Sequence, residues 1–153
     1  MLLEHRDSIN TNMNIVPASQ NSFTAAARLL ESCGLPTQDL NPGHQVFVIE
    51  EGNKVIGTVT VEYDYTHALL RSLAVAEEYR NRDIGKKLVE FIEVYVQQQG
   101  VESIYLLTKT ASKFFSGRGY KTIDRSAVPG FIKNTTEYSF IGCASAAIMK
   151  KEL

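Results

Sequence analysis

The chain has 153 residues, of which 44% are hydrophobic and 22% charged, proportions that suit a globular protein with a sizeable core. Its net charge of −1 gives no basic field of the kind that draws proteins to nucleic acid or acidic membranes. No apolar run reaches the length of a membrane span, and the polar opening MLLEHRDSINTNMN lacks a signal-peptide apolar core.

Cys33 and Cys143 lie far apart and show no metal-ligand spacing. Reduced thiols in a cytoplasmic protein are expected, with no metal site. Residues 1–13 read as an extension and a candidate for disorder, followed by one domain over 14–153.

Asn14–Pro17 reads as an edge strand stopped by Pro17. A helix is expected through Phe23, Ala26, Ala27, Leu29, Leu30 and Cys33, with Asn21 or Ser22 as its cap and Gly34 as its stop. The loop Gly34–His44 is long enough to be mobile or functional, and Thr37 or Asp39 could cap a short turn in it. Gln45–Glu50 and Lys54–Tyr63 flank Glu51-Gly52-Asn53, a hairpin signal. In the second arm Val55, Gly57, Val59, Val61 and Tyr63 alternate with Ile56, Thr58, Thr60 and Glu62. Asp64–His67 then turns the chain into a central strand, Ala68–Val75.

The spacing of Ile84, Leu88, Phe91, Ile92 and Tyr95 predicts an amphipathic helix over Ile84–Gln99, stopped by Gly100. Ser103–Thr108 reads as a strand covered on both sides, and Thr110–Gly117 as a short helix. Strands are expected at Tyr120–Asp124 and Tyr138–Ile141, with a loop over Arg125–Thr136 between them. A weak last strand is expected at Ala146–Lys150. Mostly antiparallel strands with interleaved helices make an α/β or α+β layer protein.

Leu69–Gly85 organises the chemistry. A strand passes through Glu77-Glu78 into Arg80-Asn81-Arg82-Asp83-Ile84-Gly85, and a helix follows at once. The first N–H groups of a helix lack internal partners and its dipole is positive there, so a strand–turn–helix junction can hold an anion. Arg80, Arg82, Lys86 and Lys87 add formal charge, which makes a pyrophosphate the expected guest. The alternative is an ordinary connection with solvated arginines.

Arg71 lies in the apolar strand on the face of Leu69, Leu73 and Val75. It is either a clamp for an acidic substrate group or one side of an ion pair with Glu62 or Glu137. Glu62, at a strand end, is a candidate general base, the alternative being a solvated charge. Ser72 and Thr108 are hydroxyls that could bond a ligand or the backbone. Glu137, Thr37 and Asp39 lie in segments that could cover an acceptor pocket, and His5, His44 and His67 form no ligand or triad pattern.

The strand, the turn Arg80–Gly85 and the helix resemble the acetyl-CoA motif of the GNAT N-acetyltransferase superfamily, Arg/Gln-x-x-Gly-x-Gly/Ala. Arg80 and Gly85 match its first and last positions, while Asp83 replaces the inner glycine. Phe114–Tyr120, FFSGRGY, resembles the second signature of that superfamily. GLPTQDL (34–40), LLRSLAV (69–75), YLLTKTASKFF (105–115) and SAAIMKKEL (145–153) resemble the arsenic-resistance N-acetyltransferase branch.

The resemblance implies a GNAT-like acyl-CoA N-acyltransferase fold of class α/β (α+β), with a mixed, mostly antiparallel sheet and helices on both faces. It implies direct acetyl transfer from acetyl-CoA, without a metal, to the amine of a small, amino-acid-like acceptor, with an arsenical or other toxic molecule among the candidates. Cofactor contacts would come from Leu73, Ala74, Val75, Arg80, Asn81, Arg82, Asp83, Ile84, Gly85, Lys86, Thr108, Phe114 and Phe115. A backbone N–H near Leu73 or Ala74 would bind the developing oxyanion, Glu62 would act as base, and Arg71, Ser72 and Glu137 would face the acceptor. Phe115 stands where many members have the tyrosine that protonates the leaving thiolate, and phenylalanine cannot donate a proton. A CoA-binding module or sensor with little catalysis is therefore the rival reading, and a protein for another phosphate ligand is a third. The partner implied is a small-molecule amine, not nucleic acid or membrane. Dimers are frequent in the superfamily, which makes the last strand a candidate for pairing across a homodimer interface.

Overall fold

The structure, a computed structural model, describes residues 14–41, 43–141 and 146–153. The 1–13 extension, His5 and Cys143 lie outside them. Seven strands form one mixed sheet: β1 (Ile15–Pro17), β2 (Gln45–Glu51), β3 (Lys54–Tyr63), β4 (His67–Val75), β5 (Ser103–Thr108), β6 (Lys121–Thr122) and β7 (Ala147–Glu152). Their spatial order is β1-β2-β3-β4-β5-β7-β6. The chain divides into two compact units. One comprises the chain up to Thr60 with Ser72–Phe91, and the other Val61–Arg71 with Ile92–Leu153.

In the first unit β1 pairs antiparallel with β2, placing Ile15 opposite Ile49. Helix α1 (Gln20–Ser32) follows. Its cap is Ser19, two residues before the expected Asn21 and three before Ser22. Ser22 N–H donates to Ser19 Oγ at 3.2 Å and Ser19 N–H donates to Ser22 Oγ at 2.7 Å. Two serines three residues apart thus satisfy two helix-end donors reciprocally, which neither candidate cap could do alone. Ala26, Val48 and Val55 close a small core beneath α1.

The turn between β2 and β3 uses Gly52 at φ +64°. The alternation in β3 does not separate inside from outside as a half-exposed strand would. Thr58 and Thr60 are fully buried, like Val59 and Ile56. Thr58 Oγ1 satisfies itself by donating to the Phe47 carbonyl at 3.0 Å. Glu77–Tyr79 forms a single 3₁₀ turn after β4, and α2 runs over Ile84–Gln98. Gly100, at φ +94°, ends it as the sequence predicts.

In the second unit β5 pairs in parallel with the start of β4, His67–Leu69 opposite Ser103–Tyr105, and antiparallel along its whole length with β7. β7 also pairs with β6, Lys150 opposite Lys121 and Met149 opposite Thr122. Helix α3 covers Ser112–Ser116. The expected strand at Tyr120–Asp124 shrinks to the two residues of β6, because Asp124 turns to cap a 3₁₀ helix at Arg125–Ala127, accepting from Ser126 N–H at 2.9 Å. The expected loop after it holds that turn and α4 (Gly130–Lys133). The expected strand Tyr138–Ile141 is instead helical, α5 (Thr136–Ile141). Thr135 Oγ1 accepts from Tyr138 N–H at 3.2 Å and starts this helix, a capping signal that outweighs the aromatic content of TEYSFI. Leu69, Tyr105, Leu107, Val128, Ile132 and Ile148 form the core of this unit, with Tyr138 packed against it.

Candidate active site

In the first unit the end of β4, the loop and the start of α2 follow one another as the sequence reading places them. The loop is built on left-handed residues that are not glycine: Asn81 at φ +67° and Asp83 at φ +61°. Asparagine and aspartate tolerate this region better than other side chains, which allows the loop shape without the inner glycine. Backbone alternating in and out of the left-handed region turns N–H groups towards one concavity, a geometry suited to phosphate. The N–H groups of Ile84, Gly85 and Lys86 precede the first helical bond, from Lys87 N–H to the Asp83 carbonyl at 3.0 Å. Ile84 is buried, while Asn81, Arg82, Asp83 and Lys86 are exposed.

The two loop arginines are held by neighbours. Arg80 Nε donates to the Val75 carbonyl at 3.1 Å, and its Nη2 lies 3.4 Å from Cys33 Sγ, at the end of α1. Arg82 lies over the Tyr79 ring at 5.1 Å, and the Tyr79 hydroxyl donates to Glu51. Arg80 therefore ties the loop to the strand it leaves. Sequence reasoning assigned it formal charge and a cofactor contact, and no spacing signal marks the Cys33 contact.

Ser72 sits inside β4 at φ +55°, a left-handed conformation in the middle of a strand. Such a residue bends the strand as a bulge does and interrupts its two-residue alternation. The expected face shared by Arg71, Leu73 and Val75 does not carry across it. Arg71 and Ala74 are buried, whereas Ser72, Leu73 and Val75 are half-buried. Strain of this kind concentrates at functional sites, and it falls here beside the backbone expected to hold the cofactor.

In the second unit Arg71 is a bridge between carboxylates. Its Nη1 donates to Glu62 Oε2 at 2.7 Å, and its Nε lies 3.4 Å from Glu137 Oε1. The arginine side chain is fully buried, that of Glu137 nearly so, and that of Glu62 is 20% exposed. Both ion-pair partners considered from sequence are thus engaged, and Glu62 is the member of the cluster that reaches towards solvent. Glu137 arrives from the first turn of α5, so the helix misread as a strand is what delivers it.

Thr108 accepts from Ala111 N–H at 2.9 Å and shapes the turn into α3. Phe115 is buried and meets Phe114 and Tyr120 edge-on, with ring centroids 5.0 Å and 5.6 Å away. The Tyr120 hydroxyl donates to Glu93 Oε2 at 2.9 Å, and Lys151 Nζ donates to the same oxygen at 3.0 Å. Burial, reinforced by the Glu93 charge, pushes the Tyr120 hydroxyl far above its ordinary pKa. A phenol so held keeps its proton and directs it at Glu93, so it does not replace the acid missing at Phe115. Among the described residues no cluster of histidine, cysteine and carboxylates could hold a metal ion, and no helix is long and apolar enough to cross a membrane.

The family model of the acetyltransferase (GNAT) domain matches residues 42–122, more than half of the chain and all of β4, the loop and α2. A curated relative, an uncharacterized N-acetyltransferase of Chlorobaculum tepidum, is 41% identical over 85 residues. That match covers 54% of each protein, so the chain spans about half the length of this relative. N-acetylglutamate synthase from Neisseria gonorrhoeae, solved with coenzyme A and N-acetyl-glutamate, superposes with a TM-score of 0.77 at 18% identity, over 92% of this chain and 35% of that one. A GNAT acetyltransferase from Staphylococcus aureus Mu50 superposes with a TM-score of 0.73 at 22% identity, over 92% and 99% of the two chains. These two structures establish a common fold, and the family model carries the sequence with it: the chain belongs to the GNAT acetyltransferase family.

Proposed function

We propose that the protein transfers the acetyl group of acetyl-CoA to the amine of a small, amino-acid-like acceptor. The observation that carries this reading is the junction of β4, the left-handed loop and the start of α2, within the region matched by the GNAT domain model. The solved neighbour with coenzyme A supports the choice of cosubstrate.

Acetyl-CoA supplies its acetyl group as a thioester, already activated towards an amine. The backbone N–H groups of Arg82–Gly85 hold its pyrophosphate, with Arg80, Asn81 and Lys86 alongside. Backbone groups of Leu73 and Val75 hold the pantetheine arm. An N–H of Leu73 or Ala74 binds the negative charge that grows on the carbonyl oxygen, a preorganised contact worth a few kcal/mol, on the order of 3. Glu62 takes the proton of the acceptor ammonium, directly or through water, and Arg71 holds Glu62 in place. A carbon–nitrogen bond forms, the nitrogen gives its second proton to solvent, and the carbon–sulfur bond breaks. The thiolate takes its proton from solvent, since Phe115 has none to give.

The ion pairs of Arg71 favour this bracing role over a clamp for an acidic substrate group. Ser72 and Glu137 are the acceptor contacts to test on β4 and α5. The four segments that resemble the arsenic-resistance branch make amino-acid arsenicals the first acceptors to try. The second reading, a CoA-binding module with little catalysis, is favoured by buried Phe115 and by the commitment of Tyr120 to Glu93.

Calorimetric titration with acetyl-CoA, with CoA and ATP as controls, tests the cosubstrate. Micromolar binding selective for the CoA compounds is expected, and no binding at millimolar ligand overturns the reading. Thiol release with a panel of amines then separates the two readings: turnover selects the enzyme, and tight CoA binding without turnover selects the module.

A further inference from the structure

Between Val55 and Val61 every residue of β3 but one carries a β-branched side chain; the exception is Gly57. Glycine weakens a strand interior, through lost packing and through the freedom it gives the unfolded chain. Its left-handed range is not the reason for its presence, because Gly57 is not among the positive-φ glycines. The remaining reason is space. A Cβ placed on Gly57 would lie 3.2 Å from Leu88 Cδ1, 3.4 Å from Ile84 Cγ2 and 3.7 Å from the Ala74 carbonyl oxygen.

Those three neighbours belong to the two walls of the cofactor site proposed above. Ile84 and Leu88 are the first and second turns of α2, both buried, and Ala74 lies in the strand backbone. That backbone is fastened nearby, where Ala76 N–H donates to the Ile56 carbonyl at 2.8 Å. The Ala74 contact is an ordinary van der Waals distance, so a side chain at position 57 presses on the helix side chains instead. Ile84 directly follows Asp83, so a backbone shift that relieves the pressure on its side chain moves the N–H groups that begin α2.

We infer that Gly57 is a positioning residue: by lacking a side chain it sets how closely the start of α2 approaches the Ala74 stretch of β4. It thereby fixes the spacing between the pyrophosphate donors and the pantetheine backbone. The inference rests on the acetyl-CoA reading, and a well-packed core transmits a displacement of a few tenths of an ångström instead of absorbing it.

The experiment titrates CoA calorimetrically into the full chain and into Gly57→Ala, Gly57→Ala/Leu88→Val and Val55→Ala. Gly57→Ala is expected to raise Kd about tenfold, and removal of Leu88 Cδ1 in the double variant to restore most of the affinity. Val55→Ala, which opens the core beneath α1, is expected to lower the unfolding midpoint while leaving Kd unchanged. Unchanged Kd in Gly57→Ala overturns the inference, and so does equal weakening in Val55→Ala, which marks a loss of general stability only. Should Gly57→Ala not fold, Leu88→Phe presses on the same gap from the helix side and is read by the same two outcomes. Failure of the unsubstituted protein to bind CoA overturns the acetyl-CoA reading and this inference together, whereas a binding parent with an unaffected Gly57→Ala overturns the inference alone.

Discussion

Asp83 shows how a residue can depart from a family pattern and keep its geometry. At φ +61° it occupies backbone space that aspartate accepts, so the price of losing glycine falls on charge and not on shape. Asp83→Asn removes the carboxylate charge and retains the side-chain size; it is expected to tighten CoA binding about fivefold, corresponding to roughly 1 kcal/mol. Asp83→Gly should do at least as well, and weaker binding by either variant in calorimetry refutes the charge argument. Glu62 makes a different prediction. Glu62→Gln removes the proposed base and one ion-pair partner of buried Arg71. Acetyl transfer at saturating substrate is expected to fall about a hundredfold, and urea denaturation should show a loss of about 2 kcal/mol. A variant that loses stability but keeps its rate removes Glu62 from the proton-transfer step. The candidate positions were legible as residue types in a pattern. The left-handed backbone at Ser72, Asn81 and Asp83 was not, because side chains other than glycine, asparagine and aspartate included, adopt that conformation too seldom to mark it in a sequence.

Elements were legible where one local signal dominated. The apolar stripe and terminal Gly100 fixed α2 to within a residue, and the apolar run SIYLLT matched β5 over its full length. They were misread where two signals competed. TEYSFI has the aromatic content of a strand, yet Thr135 supplies a helix cap, and the burial of Tyr138 and Glu137 favours the helix. In α1 the reciprocal Ser19–Ser22 cap predicts that Ser19→Ala destabilises the protein by about 1 kcal/mol. The loss should appear in thermal or urea unfolding, and a change below a tenth of that size shows that the cap contributes nothing. In β3 the alternation was legible but its exposure was not: only the neighbouring elements, unknown from the strand itself, determine that Thr58 and Thr60 are buried along with Val59 and Ile56.

For the whole molecule, stability should fall on the alkaline side. The hydrogen bond with Tyr63, together with partial burial, pushes the Tyr95 hydroxyl up to about 12, and burial raises Tyr120 further. Each folded-state phenol holds its proton beyond the point where the unfolded one, near 10, releases it. Their contribution is complete below about pH 10 and is lost as pH rises towards and through the folded values. Chemical denaturation from pH 8 to 12 should show the decline, and Tyr95→Phe should flatten its first part. An identical decline in that variant assigns it elsewhere. Composition and charge had already narrowed the molecule to a globular protein, and the order of its expected strands and helices to an α/β or α+β one. The division into two compact units was not legible, because a break within continuous strands leaves no mark such as a linker or a run of prolines.

The placement of β7 between β5 and β6 bears on how the protein is made. β5 and β6 do not touch in the sheet; each is zipped to the other only through Ala147–Glu152. A ribosome that has released Ser103–Thr122 has therefore made two strands with a gap between them, and the chain on to Glu152, about 30 further residues, must emerge before the gap can be filled. During that interval the inner edge of β5, apolar on both faces, is open to strands of other chains.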